Sequence, residues 1–355
     1  MCIRKARRGA SVLTLAPIRH IVVTMKIRTI GAALLLALAV PAPRAHGQEA
    51  AAEAGAEEDA GRFTFSVEKI LSISAISLFR NDLRHSDSES VRKWNFMILP
   101  APSFALGAKI THRPSKILRY SAGAGAALTF PGAGLNAALG VTLLDLLELS
   151  ASETLFSGWN ISSFNNMGVY DTARKDYGKS DFARNFSYTT LLGAKLTVPL
   201  MLALPKSDWT RLLLQGSAGL ELSRFTDAHD GEAWHCGGGA AANGWQVLYG
   251  GALVWMLPHK VVRTAVLSVG WKRYLKDSYF ERAYLPYDPD FLSCSITPML
   301  SLKFSGKSSG MLLCMVSRER KFADDGYVSN EELLQTRTGA RWRLKTVMFT
   351  WTHSF

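Results

Sequence analysis

The sequence predicts an all-β chain, an antiparallel up-and-down transmembrane barrel of about twelve strands, with ten to fourteen admissible. Three observations predict it. From Phe63 onward apolar residues recur at every second position, the period of a strand, and no stretch holds a helical period. The opposite face of each run is Ser, Thr, Gly and Ala with an occasional charge. A soluble sandwich would carry Lys, Glu and Asp there, whereas the inner wall of a barrel suits small polar residues. Finally, the links between runs alternate between short turns and longer loops.

Met25-Lys26-Ile27-Arg28 forms a short basic region, and Ile30 to Val40 is an almost unbroken apolar run. Ala45-His46-Gly47 then offers small residues at the positions a signal peptidase reads. The run is too short to cross a bilayer as a helix, which takes about 20 residues. Residues 1–47 therefore read as an N-terminal extension plus a cleaved secretory signal, with cleavage near Gly47/Gln48. Residues 1–24 are either an extended basic region or lie upstream of the true start, and Met25 is favoured because it opens a complete signal. Residues 48–62, rich in Ala, Glu and Gly, read as a short flexible periplasmic tail. The barrel then occupies 63–355.

The signal changes the meaning of the charge. The formal net charge is +12, but eight bases and no acids lie in residues 1–47, which leaves about +4 on the mature chain. No basic stripe accompanies it, so nucleic acid is excluded as a partner. Cys236, Cys294 and Cys314 remain in the mature chain with no metal-ligand spacing. Two apolar-face thiols are the simpler reading of Cys294 and Cys314, with a bridge between them as the alternative.

The expected strands are 63–79, 94–111, 117–130, 135–143, 147–157, 186–203, 209–225, 245–257, 261–275, 291–304, 311–322 and 338–355. In the second, Trp94, Phe96, Ile98, Phe104, Leu106, Ala108 and Ile110 share one parity. In the third, Leu118, Tyr120, Ala122 and Leu128 oppose Arg119, Ser121, Gly123 and Thr129. The Leu-rich segment about Leu144–Leu146 is the weakest division, since it could be one bent strand. Trp94, Trp245 and Trp271 fall near the outer ends of their strands, and Trp209, Trp255 and Trp351 near the inner ends. Amphipathic rings favour the headgroup level, so these form two interfacial girdles.

The last nine residues alternate as well. Val347, Phe349, Trp351 and Phe355 share one face, opposite Met348, Thr350, Thr352 and Ser354. This tail resembles the C-terminal strand of bacterial outer-membrane β-barrels, which ends in an aromatic residue; His353 departs from the pattern. The resemblance implies that Val347, Phe349, Trp351 and Phe355 form the assembly signal read by the barrel-assembly machinery. It implies outer-membrane lipid, that machinery and periplasmic chaperones as partners. It also places the chain in the outer membrane with both termini periplasmic.

Function is less legible, because the fold does not supply it. The sequence offers no catalytic set, and the His-x-Ser-Asn-Gly segment of outer-membrane phospholipases is missing. The His229–Cys236 segment gathers His229, Asp230, Glu232, His235 and Cys236. It reads as a solvated loop rather than a ligand cage, since Gly237-Gly238-Gly239 follows. No metal and no cofactor is expected. Arg119, Glu148, Lys195, Arg211, Glu221, Lys272 and Lys303 are expected to project into the lumen. Five bases against two acids favour anionic or zwitterionic solutes. The leading expectation is a channel or uptake protein for small solutes with a mild anion preference. A structural or surface-interaction barrel with paired charges and a closed lumen is the alternative, and an outer-membrane enzyme the third reading.

Overall fold

The computed structural model describes residues 61, 63–79, 96–129, 132–159, 167–205, 207–236, 240–322 and 333–355. The signal segment, almost all of the tail and Trp94 lie outside these residues. The wall strands are β1 (Phe63–Phe79), β2 (Phe96–His112), β3 (Leu118–Thr129), β4 (Gly132–Leu143) and β5 (Leu147–Gly158). They continue as β8 (Ser187–Pro199), β9 (Leu212–Phe225), β12 (Gly244–Met256) and β13 (Val262–Tyr274). The last three are β14 (Ser293–Lys303), β15 (Ser308–Phe322) and β16 (Arg337–Ser354). Each pairs antiparallel with its neighbours in the chain, and β1 pairs with β16. The twelve strands thus form a closed up-and-down barrel, with no free edge to leave backbone groups unpaired.

The Leu144 segment resolves into two strands joined by a tight turn. Leu144 and Asp145 both have φ of 54°, the pairing of positive values that a two-residue hairpin turn needs. Arg113 holds the Asp145 carboxylate at 2.8 Å. β4 begins earlier than the alternation suggests, at Gly132, since the link to β3 is reduced to two residues.

Period-two alternation separates the two wall faces. Leu139 and Leu267 point outward, 64% and 48% exposed, within a band of similar residues. Glu153 interrupts that band, its carboxylate accepting a hydrogen bond from the Thr190 hydroxyl. Such an apolar exterior is a liability in water and a requirement in lipid. At the closing seam the inward hydroxyls of Ser72 and Ser74 meet those of Thr352 and Thr350 at 3.2 and 2.8 Å. No disulfide ties the wall: Cys236, Cys294 and Cys314 are free thiols.

The largest fully buried side chains lie at the long-loop end rather than in mid-barrel: Tyr284, Phe225, Phe322, Met167 and Leu333. There the loops fold into a cap that strand periodicity did not anticipate. Its small sheet has the order β11-β10-β6-β7, from Ala241–Ala242, Ala233–Cys236, Met167–Asp171 and Asp176–Tyr177. The 3-10 turns Asp277–Tyr279 and Arg282–Tyr287 pack beside it. Two glycines permit the close approaches. A Cβ at Gly168 would lie 1.6 Å from the Gly178 carbonyl oxygen, and one at Gly244 would lie 2.5 Å from the Tyr279 ring.

Candidate functional site: the lumen beneath the loop cap

Beneath the cap lies a cavity of about 1290 Å³. Its wall comes from the β5 and β8–β16 side of the barrel, where Ser150, Gly193, Ser217, Gly250, Ser268 and Ser295 leave room in the lumen. Its roof is the underside of the cap, through Trp234, Cys236, Phe280 and Tyr287.

Asn243 fastens roof to wall. Its side-chain oxygen accepts from the Phe225 amide at 2.8 Å and from Trp234 Nε1 at 3.1 Å. Its amide nitrogen donates to the Ala228 carbonyl at 3.0 Å. The Tyr274 hydroxyl accepts from the Ala242 amide at 2.9 Å, tying the end of β13 to the same sheet. Met167, Phe225, Ala228 and Trp234 then pack as one apolar cluster between wall and cap.

The charges anticipated in the lumen are mostly in pairs. Lys195 Nζ lies 2.5 Å from Glu148, directly opposite it across β5 and β8. Lys272 Nζ lies 2.7 Å from Glu221, from two strands away. Arg119 stands 3.7 Å from Asp145 at the short-turn end. Arg211 is in the turn before β9, held by Asp208 at 2.7 Å, and does not line the cavity. Lys303 sits at the short-turn end of β14.

A denser cluster sits on β15 and β16. Arg341, Arg343, Lys345 and Glu319 all line the cavity. Glu319 bridges Arg343 at 3.2 Å and Lys345 at 2.9 Å, and it faces Arg341 directly across the ladder. Among the described residues three bases surround this one acid, which gives that group a net positive charge. The reason lies in the backbone. Met315 opposes Thr346 and Val316 opposes Leu344, so Lys345 is an extra residue in β16. Such a bulge shifts the alternation by one. Val347 and Phe349 face outward below it, Trp342 and Leu344 above it, and Arg341, Arg343 and Lys345, alternating with the latter pair, turn inward to line the cavity.

Arg320 lies 4.0 Å over the Tyr287 ring and donates to the Asp288 carbonyl at 2.8 Å. It thereby anchors the 3-10 turn to β15.

The interfacial aromatics sit toward the strand ends. Trp271 stacks on Tyr249 at 5.4 Å. Trp245 is the second residue of β12, and Trp342 adds an outward ring that is 53% exposed. At the short-turn end Trp255 Nε1 donates to the Trp209 carbonyl at 2.9 Å. In the tail, Trp351 and His353 stack, Phe355 meets the His353 ring edge-on, and the Ser308 hydroxyl lies 2.8 Å from His353 Nδ1. His353 therefore continues the ring row from Trp351 to Phe355.

The residues of the His229–Cys236 segment diverge. His229 donates its backbone N–H to Glu232 at 2.7 Å, His235 stacks on Tyr177 at 4.1 Å, and Cys236 Sγ lies 3.6 Å from the Ser187 hydroxyl. Among the described residues no group of three or more His, Cys, Asp and Glu could hold a metal ion. Burial pushes the Cys236 thiol above its ordinary pKa.

Burial also lowers the His235 pKa from 6.5 to about 4, partly opposed by the Asp176 carboxylate. The folded cap thus holds His235 neutral, while the unfolded cap takes up a proton at about pH 6.5. Its stability contribution is full above that pH and is lost as pH falls toward about 4. Hydrogen exchange of β6 and β10 amides, corrected for intrinsic rates, should speed up over this window, and His235→Phe should flatten the dependence. Equal profiles for parent and variant would show that His235 does not control the cap.

Neither the family models nor the curated proteins compared with this chain give a match. Among solved structures the chain is similar to an outer-membrane channel from Pseudomonas putida F1, with 10% identity, a TM-score of 0.34 and coverage of 84% of this chain and 97% of that one. It is also similar to the translocator domain of the autotransporter NalP from Neisseria meningitidis, with 11% identity, a TM-score of 0.33 and coverage of 95% and 98%. The beta domain of the Bordetella autotransporter BrkA is 11% identical, with a TM-score of 0.39 over 84% of this chain and 100% of that one. Likenesses at this level fix neither a solute nor an activity.

Proposed function

We propose that this chain is an outer-membrane channel or uptake barrel for small solutes, with a preference for anions. The observation that carries the reading is the net-positive cluster of Arg341, Arg343 and Lys345 about Glu319, set in a cavity walled by small residues. Fixed charge in a confined lumen raises the local concentration of counter-ions, and low-dielectric walls focus the field. Lys195 and Lys272 contribute less, since each is matched by a carboxylate at contact distance. The apolar outer band and the signal segment support the outer membrane, with the cap outside and the short turns periplasmic.

The cap supports a second reading, a surface-interaction barrel with a closed lumen, because a folded roof stands over the cavity. Planar bilayers separate the two. The refolded full-length mature chain should give discrete conductance steps with an anion-favouring reversal potential under a salt gradient. Silence from a protein that keeps its heat-modifiable gel mobility would overturn the channel and leave the surface reading.

A further inference from the structure

Three side chains at the cap end of the lipid-facing wall stand together by register. Arg224 closes the outward row of β9 above Leu214 and Leu220, exposed between the buried Ser223 and Phe225. Arg273 closes that of β13 above Leu267, exposed between the inward Lys272 and the buried Tyr274. Trp245 lies between them on β12, opposite Leu222 of β9, and its carbonyl accepts from the Leu275 amide, one residue beyond β13. Each arginine is two residues from the position facing Trp245. That is the diagonal relation, about 7–8 Å, across which long side chains still meet. Arg273 touches the cavity margin together with Lys272 and Tyr274, but alternation puts its side chain on the opposite face from theirs. Among the described residues neither guanidinium is in an ion pair, and Asp290 feels the charge of Arg273 without closing on it. We propose that Arg224 and Arg273, astride Trp245, form a site for the phosphate headgroup of a lipid in the leaflet at the cap end.

Depth, charge and the wall below select this ligand. Trp245, Tyr188 directly across from Arg224, and Trp271 two residues below Arg273 mark the headgroup level, where amphipathic rings collect. A guanidinium presents a planar fork of N–H groups that matches two phosphate oxygens, in bonds roughly twice as strong as neutral ones. Beneath the pair, the exposed Leu220, Leu253 and Leu267 give the acyl chains an apolar bed on the same three strands. A soluble phosphate would use the arginines and leave that bed to other lipids. A zwitterionic lipid brings its own cation, which the two arginines repel. The inference rests on the membrane-spanning wall and holds whether or not the lumen conducts.

Native mass spectrometry of the full mature barrel in a neutral detergent tests it, with phosphatidic acid and phosphatidylcholine of the same acyl chains as probes. Each arginine at a headgroup contributes roughly fivefold, so phosphatidic acid should be retained roughly 25-fold over phosphatidylcholine. Arg224→Gln/Arg273→Gln should bring the two lipids to parity. Arg211→Gln/Arg263→Gln removes as much charge at the short-turn end and should keep the parental preference. Parity in the parent, or an undiminished preference in a folded Arg224→Gln/Arg273→Gln barrel, would overturn the site. An equal loss in Arg211→Gln/Arg263→Gln would also overturn it, by making net charge the cause. Glycerol 3-phosphate, the headgroup without chains, should not displace the lipid even in large excess. Displacement would assign the arginines to a soluble phosphate and overturn the lipid site. If the double variant fails to fold, Arg224→Gln and Arg273→Gln decide singly. Each should lose roughly fivefold in preference, and no loss in either overturns the proposal.

Discussion

Tyr284→Ala is expected to open the cap while leaving the barrel standing. Tyr284 is 2% exposed and meets Tyr170 and Phe280 edge-on, at ring separations of 6.1 and 6.4 Å. Truncating a buried aromatic costs about 3–5 kcal/mol, the lost transfer energy plus the cavity left behind. Little of that loss reaches the wall, whose ladders close on themselves without the cap. Exchange protection of β6 and β10 amides should therefore fall roughly a hundredfold or more, at about 1.4 kcal/mol per tenfold. Wall amides and heat-modifiable mobility should not change. Tyr284→Phe keeps the ring and is expected to match the parent, since the hydroxyl, whose pKa burial lifts to about 12, stays neutral. Simultaneous loss of wall and cap protection in Tyr284→Ala would mean that the two are one cooperative unit. Conductance larger in Tyr284→Ala than in the parent would identify the cap as the restriction on the lumen.

The wall was legible because a barrel strand writes its period into the sequence twice, once as an apolar face and once as a small polar one. Ser72 and Ser74 against Ile73, or Ser293 and Ser295 against Cys294 and Ile296, need no tertiary information to be placed. The turn at Leu144 and Asp145 was harder, because its residues are not the Asn and Gly that usually announce positive φ. The cap left no such signature. Its strands are two to five residues long, below the length at which alternation can be recognised. Its core is assembled from Tyr170, Phe280, Tyr284 and Leu333, which come from loops far apart in the chain.

The charge cluster was missed for a different reason. Arg341, Arg343 and Lys345 share the odd parity of Val347, Phe349 and Trp351, which face outward. Strict alternation would send three bases into lipid, where each costs about 2–4 kcal/mol near the midplane. That conflict was itself a signal for a bulge between the two groups, and the structure places one at Lys345. Arg211 shows the opposite difficulty. Its parity with Gln215 and Glu221 points inward, but the chain is still in the turn there, and Asp208 takes the charge.

Replacing Arg343 and Lys345 together with Gln is expected to abolish the anion preference. Of its described residues the cluster then keeps Arg341 and Glu319, whose charges cancel. A unit charge about 7 Å from a permeating ion in water changes its energy by about 0.6 kcal/mol. Two charges change it by about 1.2 kcal/mol, with opposite signs for an anion and a cation, so before screening the anion-to-cation permeability ratio should fall roughly sixtyfold. The shift should be largest at low ionic strength, because screening shortens to about 8 Å at physiological salt. Glu319→Gln removes the one acid and should move the ratio the other way, by roughly sevenfold. Lys195→Gln is expected to lower it by a similar factor, since it leaves Glu148 exposed to the lumen, whereas Arg211→Gln should leave it unchanged. The four variants together discriminate a field set by this cluster from one spread over the whole lumen. A spread field would make Arg211→Gln and Lys195→Gln equivalent. Reversal potentials under a salt gradient, with heat-modifiability measured alongside, give the answer. An unchanged ratio in a folded Arg343→Gln/Lys345→Gln barrel would remove the bulge-directed cluster from any role in selectivity.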